Sequence, residues 1–121
     1  MLRELGLGAT LLLGVMLLGG VTRAEDAKAD KKIERVWKAK CASCHGADGK
    51  ADTEKGKKLK VADYTTKEWQ AAKKDEELTK AILDGVKTEK DGVKQEMDGY
   101  KGELKPGEAE GLVKFIRALG K

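Results

Sequence analysis

Both cysteines of the chain and its single histidine stand in one pentapeptide, Cys41-Ala42-Ser43-Cys44-His45. Two thiols three residues apart can form thioethers with the two vinyl groups of a haem, and the imidazole that follows can take the iron. One turn of helix carries the two sulfurs past adjacent pyrroles and brings the next residue beneath the metal. The motif therefore predicts one covalent haem c attached through Cys41 and Cys44, with His45 as an iron ligand.

Other chemistries of a Cys-x-x-Cys pair have to be weighed against this interpretation. A dithiol redox centre of the thioredoxin kind requires a strand before the helix, whereas the residues before Cys41 have a helical pattern. A structural zinc site needs four ligands, and the motif supplies three. A disulfide that closes so small a ring gains little loop entropy. The spacing favours haem attachment, and the N-terminal segment strengthens that reading.

Residues 1–24 have the pattern of an export signal. Arg3 provides the positive end, residues 5–21 form an apolar run with one polar member, and small residues stand three and one places before a cut after Ala24. Thioether attachment belongs to the oxidising side of a membrane, so periplasmic localisation is expected. The run spans 17 residues, whereas a spanning helix needs about 20. An uncleaved membrane anchor stays as the alternative.

Cleavage would leave residues 25–121, a single domain of 97 residues with 23 basic and 20 acidic side chains. The charges are interspersed, which is typical of a solvated helix surface and argues against a nucleic-acid partner. Two Trp, two Tyr and one Phe are too few for a large core built from protein alone. A haem would supply the missing apolar volume.

Apolar positions three and four residues apart predict an amphipathic helix at each end of this domain. The first begins at Asp30, a good N-cap residue, and runs into the haem motif. The last begins at Pro106 and Glu108, and Gly120 ends it. The apolar stripes are Ile33, Val36 and Trp37 in the first helix and Leu112, Phe115, Ile116 and Leu119 in the last. Each stripe is narrow, so the two helices are expected to pack on each other beside the haem.

Two shorter helices are predicted in the middle of the chain. Thr65 or Thr66 can cap the first, which runs through Lys74 and carries Trp69 on its inner face. Asp75 can cap the second, whose apolar side chains point one way before a closing glycine at position 85.

The remaining segments show no helical period. Residues 46–59 are a charged, glycine-rich loop, and residues 86–105 are a long loop that contains Met97. No stretch alternates like a half-buried strand, so every regular element is expected to be helical. Met97 is the only methionine after the signal segment, and the chain has no second histidine. The Met97 thioether is therefore the candidate for the sixth coordination position of the iron. The alternative is that Met97 only fills space in the core.

Beyond the motif, the chain resembles a small class I cytochrome c of bacterial type over residues 31–120. The segments that carry the resemblance are CASCHGADGK at 41–50, ADYTTKEWQ at 62–70, MDGYKGEL at 97–104 and LVKFIRAL at 112–119. The resemblance implies an all-α class I cytochrome c fold, with four or five short helices wrapped round one covalent haem. It also implies that Cys41 and Cys44 hold the haem, that His45 is the proximal ligand and that Met97 is the distal ligand.

The same resemblance implies positions for two aromatic residues, and at two other positions this chain departs from the family pattern. It places Trp37 at the contact with the last helix and Trp69 near the haem edge, where the indole N–H could reach a propionate. Members of the family often have a proline after the distal methionine, and Asp98 stands there in this chain. Many relatives also offer a proline carbonyl to the proximal imidazole, but the only proline here is Pro106. The acceptor for the His45 ring N–H is therefore not identified.

The function implied is that of a monohaem periplasmic one-electron carrier between redox proteins, cycling between Fe(III) and Fe(II) with His and Met on the iron. Such a carrier is not an enzyme and binds no small-molecule substrate. Lys40, Lys50 and Lys101 are candidates for steering an acidic partner. Two alternatives stay open: a five-coordinate haem protein that binds a small gas or peroxide, and a haem subunit of a larger membrane-attached oxidoreductase. Contact with a membrane is expected only through partner complexes or an uncleaved signal anchor.

Overall fold

The computed structural model describes residue 14 and residues 23–121, with side chains described from Asp30 onward apart from residue 14. The predicted signal peptide therefore lies almost wholly outside the described residues, and cleavage after Ala24 stays a prediction. Six helices and a two-stranded sheet occur in the described part. In chain order they are α1 Arg23–Lys40, α2 Ala42–His45, α3 Glu54–Lys58, α4 Lys67–Ala72, α5 Asp75–Asp84, β1 Val86–Lys90, β2 Val93–Met97 and α6 Glu108–Leu119.

The predicted helical fold is confirmed, and so is the packing of the first helix on the last. Helix α6 also packs on α5, and together these three helices enclose the protein core. The core side chains are Trp37, Leu78, Ile82, Ala109, Leu112, Val113 and Ile116. Gly111 allows a close crossing of α1 and α6, because a Cβ on it would lie 2.6 Å from the Cδ1 atom of Ile33.

One segment differs from the all-helical expectation. Residues 86–97, predicted as part of a loop, form an antiparallel hairpin in which Val86 pairs with Met97. Asp91 and Gly92 make the connection, with φ angles of 51° and 79°. Positive φ at both central residues is the type I′ turn, whose twist matches that of the flanking strands and which favours Asp-Gly. The local turn chemistry therefore builds a hairpin although its strands alternate only weakly in polarity.

The number and bounds of the helices also differ from the prediction. Six helices stand where four or five were expected, because α2 and α3 are short helices that have too few apolar positions to show a period. Helix α3 lies inside the predicted loop 46–59 and begins where the Thr53 hydroxyl accepts a hydrogen bond from the Gly56 N–H at 2.9 Å. Helix α1 begins at Arg23 rather than Asp30. The predicted cap at Thr66 is confirmed, since its hydroxyl accepts from the Trp69 N–H.

Helix α6 is tied to α4 and α5 by a polar network centred on Arg117. The guanidinium donates to the carbonyl oxygens of Gln70 and Lys73 and to the carboxylate of Asp75, at 2.8 Å for the last. The Gln70 amide donates in return to the carbonyl of Ile116 at 2.9 Å. These bonds satisfy carbonyls at the end of α4 and hold the middle helices against the last one. No helix within the described part of the chain is long and apolar enough to cross a membrane.

Candidate functional site

The Cys-x-x-Cys-His motif lies at the corner where α1 ends and α2 begins. The Cys41 N–H donates to the Trp37 carbonyl at 2.9 Å, and the His45 N–H donates to the Cys41 carbonyl at 3.0 Å. The motif is thus the last turn of an almost continuous helix, which places His45 one turn beyond the first cysteine. No strand precedes it in the described chain, so the context of a thioredoxin-like dithiol is absent.

The thiol chemistry of the motif agrees with this context. Burial raises the pKa of Cys41 to about 11, against a smaller lowering influence of Lys40. A redox-active dithiol depends on a lowered thiol pKa, so Cys41 lacks the usual property of such centres. Neither Cys41 nor Cys44 is in a disulfide. Among the described residues no cluster of three or more His, Cys, Asp and Glu side chains could hold a metal ion.

The structure brings Cys41, His45 and Met97 to one cavity, although Met97 is more than fifty residues from the motif in sequence. Cys44 is half-buried but does not line this cavity. The lining contains no Lys, Arg, Asp or Glu, and its residues are Trp37, Cys41, His45, Tyr64, Leu78, Ala81, Ile82, Val86, Met97, Tyr100, Leu112 and Ile116. An apolar lining with a few ligating atoms is typical of a cofactor site.

His45 is held in the state that binds a metal. Burial lowers the pKa of its imidazole to about 4, so the ring is neutral at physiological pH. Its Nδ1 is buried and has no hydrogen-bond partner, and it is the only side-chain nitrogen or oxygen in that condition among the described residues. A buried unpartnered polar atom costs free energy and calls for a functional explanation. With two thiols, one neutral imidazole and one thioether around an apolar cavity, the residues present fit a covalent haem.

The cavity itself is narrow, with a volume of about 70 Å³. Tyr64 is one of the lining residues, and its ring stacks on that of His45 with centroids 4.9 Å apart.

Aromatic rings surround the imidazole. Trp37 is 2% exposed, and its ring centroid lies 5.7 Å from that of His45 and 4.9 Å from that of Phe115 on α6. The predicted contact of Trp37 with the last helix is therefore present. Its indole N–H donates to the Gly46 carbonyl at 2.9 Å, which anchors the residue after the imidazole to α1. This bond satisfies the buried indole donor.

Trp69 packs behind Tyr64, which separates it from the imidazole. Its ring stacks on Tyr64 with centroids 4.0 Å apart, and Trp69 does not line the cavity. Contact of its indole N–H with a propionate stays a prediction. Sequence reasoning gave Tyr64 no role, although its ring stacks on the imidazole. Its position inside the segment 62–70 was the available signal.

Helix α3 supports the motif from a direction that the sequence analysis did not foresee. The Thr53 hydroxyl donates to the Cys44 carbonyl at 2.8 Å while capping α3. Gly56 lies so close to the same carbonyl that a Cβ atom on it would overlap the oxygen, and it would lie 2.5 Å from the Ala51 carbonyl oxygen. A glycine at position 56 is therefore what lets α3 approach the second cysteine.

Met97 is the last residue of β2, and the backbone that follows it is fastened to α5. The Tyr100 N–H donates to the Ile82 carbonyl at 2.9 Å, and the Tyr100 hydroxyl donates to the Lys40 carbonyl at 3.0 Å. Gly85 lies against the Met97 carbonyl so closely that a Cβ on this glycine would overlap the oxygen. These contacts fix where the chain leaves β2.

Comparison with known proteins agrees with these observations. The family model described as cytochrome c matches residues 31–120. Among solved structures, the KustC0563 c-type cytochrome is similar with a TM-score of 0.61 and 30% sequence identity, over 73% of this chain and 96% of that one. A tyrosine-to-phenylalanine mutant of that cytochrome gives a TM-score of 0.59 and 29% identity, over 72% and 96% of the two chains. A search of curated proteins finds no significant match. Since the family model spans most of the domain, and the fold and motif agree with it, the chain belongs to the cytochrome c family as a small class I member, a haem electron carrier with covalently bound haem c.

Proposed function

We propose that this protein is a one-electron carrier with a single haem c, attached through Cys41 and Cys44 and ligated by His45 and Met97. The observation that carries the proposal is the meeting of a neutral imidazole and the only thioether of the described chain in one apolar cavity. When bound, the haem supplies reversible Fe(III)/Fe(II) chemistry.

The residues of the chain have distinct tasks in this mechanism. His45 offers a nitrogen lone pair because its pKa is lowered by burial. Met97 offers a soft sulfur, which favours ferrous iron and raises the reduction potential. The apolar lining excludes water, and the contacts of α3 with Cys44 and of Tyr100 with α5 hold both ligand segments in place. A rigid, dry site keeps structural change between the two oxidation states small.

The proposed role leaves no group for acid–base or nucleophilic catalysis by His or Cys. The chain has one histidine and two cysteines, and all three are committed to the haem in this proposal. We therefore expect electron transfer with redox proteins and no turnover of a small-molecule substrate.

We further propose that the carrier works in the periplasm, because the export pattern of residues 1–24 and thioether attachment both belong to an oxidising compartment. Its partners would be redox proteins with an acidic face. Lys50 and Lys101 are exposed, and no salt bridge with either occurs among the described residues. Lys40 is less suited to steering, since its side chain is 33% exposed and its ammonium lies 3.5 Å from the Glu103 carboxylate.

The optical spectrum of the purified protein tests the ligation. In ferric and ferrous forms, with and without carbon monoxide, the wild type is expected to be low-spin, to show the weak red sulfur-to-iron band and to bind carbon monoxide only weakly. Met97→Leu keeps an apolar side chain of similar volume but has no thioether. It should lose the red band and bind carbon monoxide.

The opposite result has a clear meaning. A wild-type protein that is high-spin and reacts with carbon monoxide would show that Met97 is not a ligand, and would favour the binding of a small gas or peroxide. Purified protein without haem absorbance, after export with a competent maturation system, would contradict haem attachment itself.

A further inference from the structure

The hairpin that ends in Met97 is joined across space to the turn at residues 59 and 60. Gln95 lies on β2, two residues before Met97, and its side-chain Nε2 donates to the Leu59 carbonyl at 2.8 Å and to the Lys60 carbonyl at 2.9 Å. Thirty-six and thirty-five residues separate these partners in sequence. We call this set of contacts the hairpin seam.

The chemistry of the neighbours fixes the orientation of the Gln95 amide. Its two nearest acceptors are carbonyl oxygens, which can accept only from the NH₂ group. On the other side, the Thr88 hydroxyl donates to the Gln95 Oε1 at 3.2 Å. A flipped amide would place oxygen against two carbonyls, so the assignment follows from the partners. Both ends of the amide are thus used.

Gln95 is the main component of the seam. The other polar contacts join Lys60 to Asp91 and Lys90 to the Lys60 carbonyl, at 3.4 to 4.0 Å, and all of them are exposed. Exposed ion pairs of such length contribute little to stability. The two Gln95 bonds are shorter, and the one to Leu59 is partly buried.

Gln95 and Met97 share one face of the strand. Residues two apart in a strand point to the same side, and the half-buried positions of β2 are Val93, Gln95 and Met97. A side chain that fastens Gln95 to the 59–60 turn therefore also sets the direction in which Met97 points. Beyond Met97 the chain is held by the hydrogen bond from the Tyr100 N–H to the Ile82 carbonyl at 2.9 Å. The seam supplies a constraint on the other side of the ligand.

We propose that Gln95 is a positioning residue that keeps Met97 on the iron. The inference rests on the proposed function, since it concerns the ligand set given there. Loss of the Gln95 amide would let β2 swing from the 59–60 turn and would raise the fraction of molecules in which Met97 has dissociated.

The affinity of the ferrous protein for carbon monoxide measures that fraction, because carbon monoxide competes with Met97 for the iron. Gln95→Glu keeps the shape of the side chain but removes the NH₂ donor and places a carboxylate against two carbonyls. We expect it to bind carbon monoxide at least about tenfold more tightly than wild type. This is the change in affinity that corresponds to the net free energy of one or two hydrogen bonds. Thr88→Val removes only the hydroxyl that orients the amide, so an increase of about two- to threefold is expected.

Two control variants separate positioning from general destabilisation. Lys94→Ala changes an exposed neighbour on the same strand and should leave carbon monoxide affinity unchanged. Arg117→Ala weakens the network between α4, α5 and α6, far from the seam in sequence, and should lower thermal stability without raising carbon monoxide affinity. Haem content and circular dichroism establish that each variant is folded, and Thr88→Val decides the matter if Gln95→Glu does not fold.

The outcomes are distinct. If the wild type is low-spin and binds carbon monoxide only weakly while Gln95→Glu and Thr88→Val behave like Lys94→Ala, the role of Gln95 is wrong and the proposed function stands. If Arg117→Ala raises the affinity as much as Gln95→Glu, the effect is one of general stability and the positioning role is wrong. If the wild type itself binds carbon monoxide readily, the Met97 ligation fails and this inference fails with it.

Discussion

At the scale of single residues, the roles that could be predicted are those that depend on local spacing. The assignment of Cys41, Cys44 and His45 follows from three positions in one helical turn, which no distant part of the chain can alter. Met97 could be singled out because no other methionine or histidine competes with it after the signal segment. Gln95 could not be found in this way, since its partners are backbone carbonyls more than thirty residues away.

Gly56 is another residue whose role is visible only in the folded chain. In an open helix, alanine is favoured over glycine by up to about 1 kcal/mol. At position 56 the added Cβ would overlap the Cys44 carbonyl, and it would lie 2.5 Å from that of Ala51. Overpacking of this kind costs about 1–3 kcal/mol. The steric cost therefore outweighs the gain in helix propensity.

We expect Gly56→Ala to lower the free energy of unfolding by up to about 2 kcal/mol, the difference between those two effects. Denaturant titration of the haem-bound protein measures it. Gly102→Ala is the matched control, because a Cβ at that position meets no atom within 4 Å and the glycine has no positive φ. Equal stability of the two variants would show that α3 can withdraw from Cys44 at little cost.

At the scale of secondary structure, α1, α4, α5 and α6 could be predicted, whereas α3 and the hairpin could not. Helix α6 carries a full apolar stripe, so its period is evident. Helix α3 has five residues, and its formation depends on the Thr53 cap rather than on periodicity. In the hairpin, half of the ten strand side chains are both exposed and charged, which weakens alternation. The Asp91-Gly92 pair was the signal that predicts it.

The arrangement of the middle helices depends on Arg117 as much as on apolar packing. Its guanidinium satisfies carbonyls of Gln70 and Lys73 and pairs with Asp75. Hydrogen bonds with a charged donor contribute about 1.5–3 kcal/mol when they are not fully exposed. We expect Arg117→Ala to lower the free energy of unfolding by about 1–3 kcal/mol, measured by denaturant titration.

Lys114→Ala on the same helix is the control for this prediction. Lys114 is exposed, so its replacement should change stability by no more than about 0.5 kcal/mol. Arg117→Lys retains the charge but lacks the planar fork of donors, and it should resemble alanine more than arginine. A stability of Arg117→Lys equal to that of wild type would mean that charge alone holds α6 to the middle helices.

At the scale of the whole molecule, the protein core and the cavity that we propose for the haem share one set of side chains. Trp37, Leu78, Ile82, Leu112 and Ile116 belong both to the packed core and to the cavity lining. The fold and the cofactor site are therefore one structure, as expected for a domain with few aromatic residues. Whether residues 1–24 remain attached is a separate question, which concerns only the N-terminal end of this unit.

We expect the exported protein to begin at Glu25 and to carry one haem per chain. N-terminal sequencing and intact mass give the cleavage site, and the ratio of haem to protein gives the stoichiometry. Retention of Met1 together with extraction only by detergent would support the membrane-anchor alternative. Elution with other polypeptides from a sizing column would support a haem subunit of a larger oxidoreductase.

The register of the hairpin has a consequence for how such a chain can diverge. Since strand side chains alternate in direction, one residue inserted between Gly92 and Met97 would turn the thioether to the opposite face. If one residue were added to each strand next to the Asp91-Gly92 turn, the hairpin would lengthen, and Gln95 and Met97 would keep their pairing partners. A Cβ on Gly92 would meet no atom within 4 Å, so the tip has room to grow. Related sequences can therefore lengthen the hairpin by adding residues in pairs next to the turn, while Met97 keeps its position.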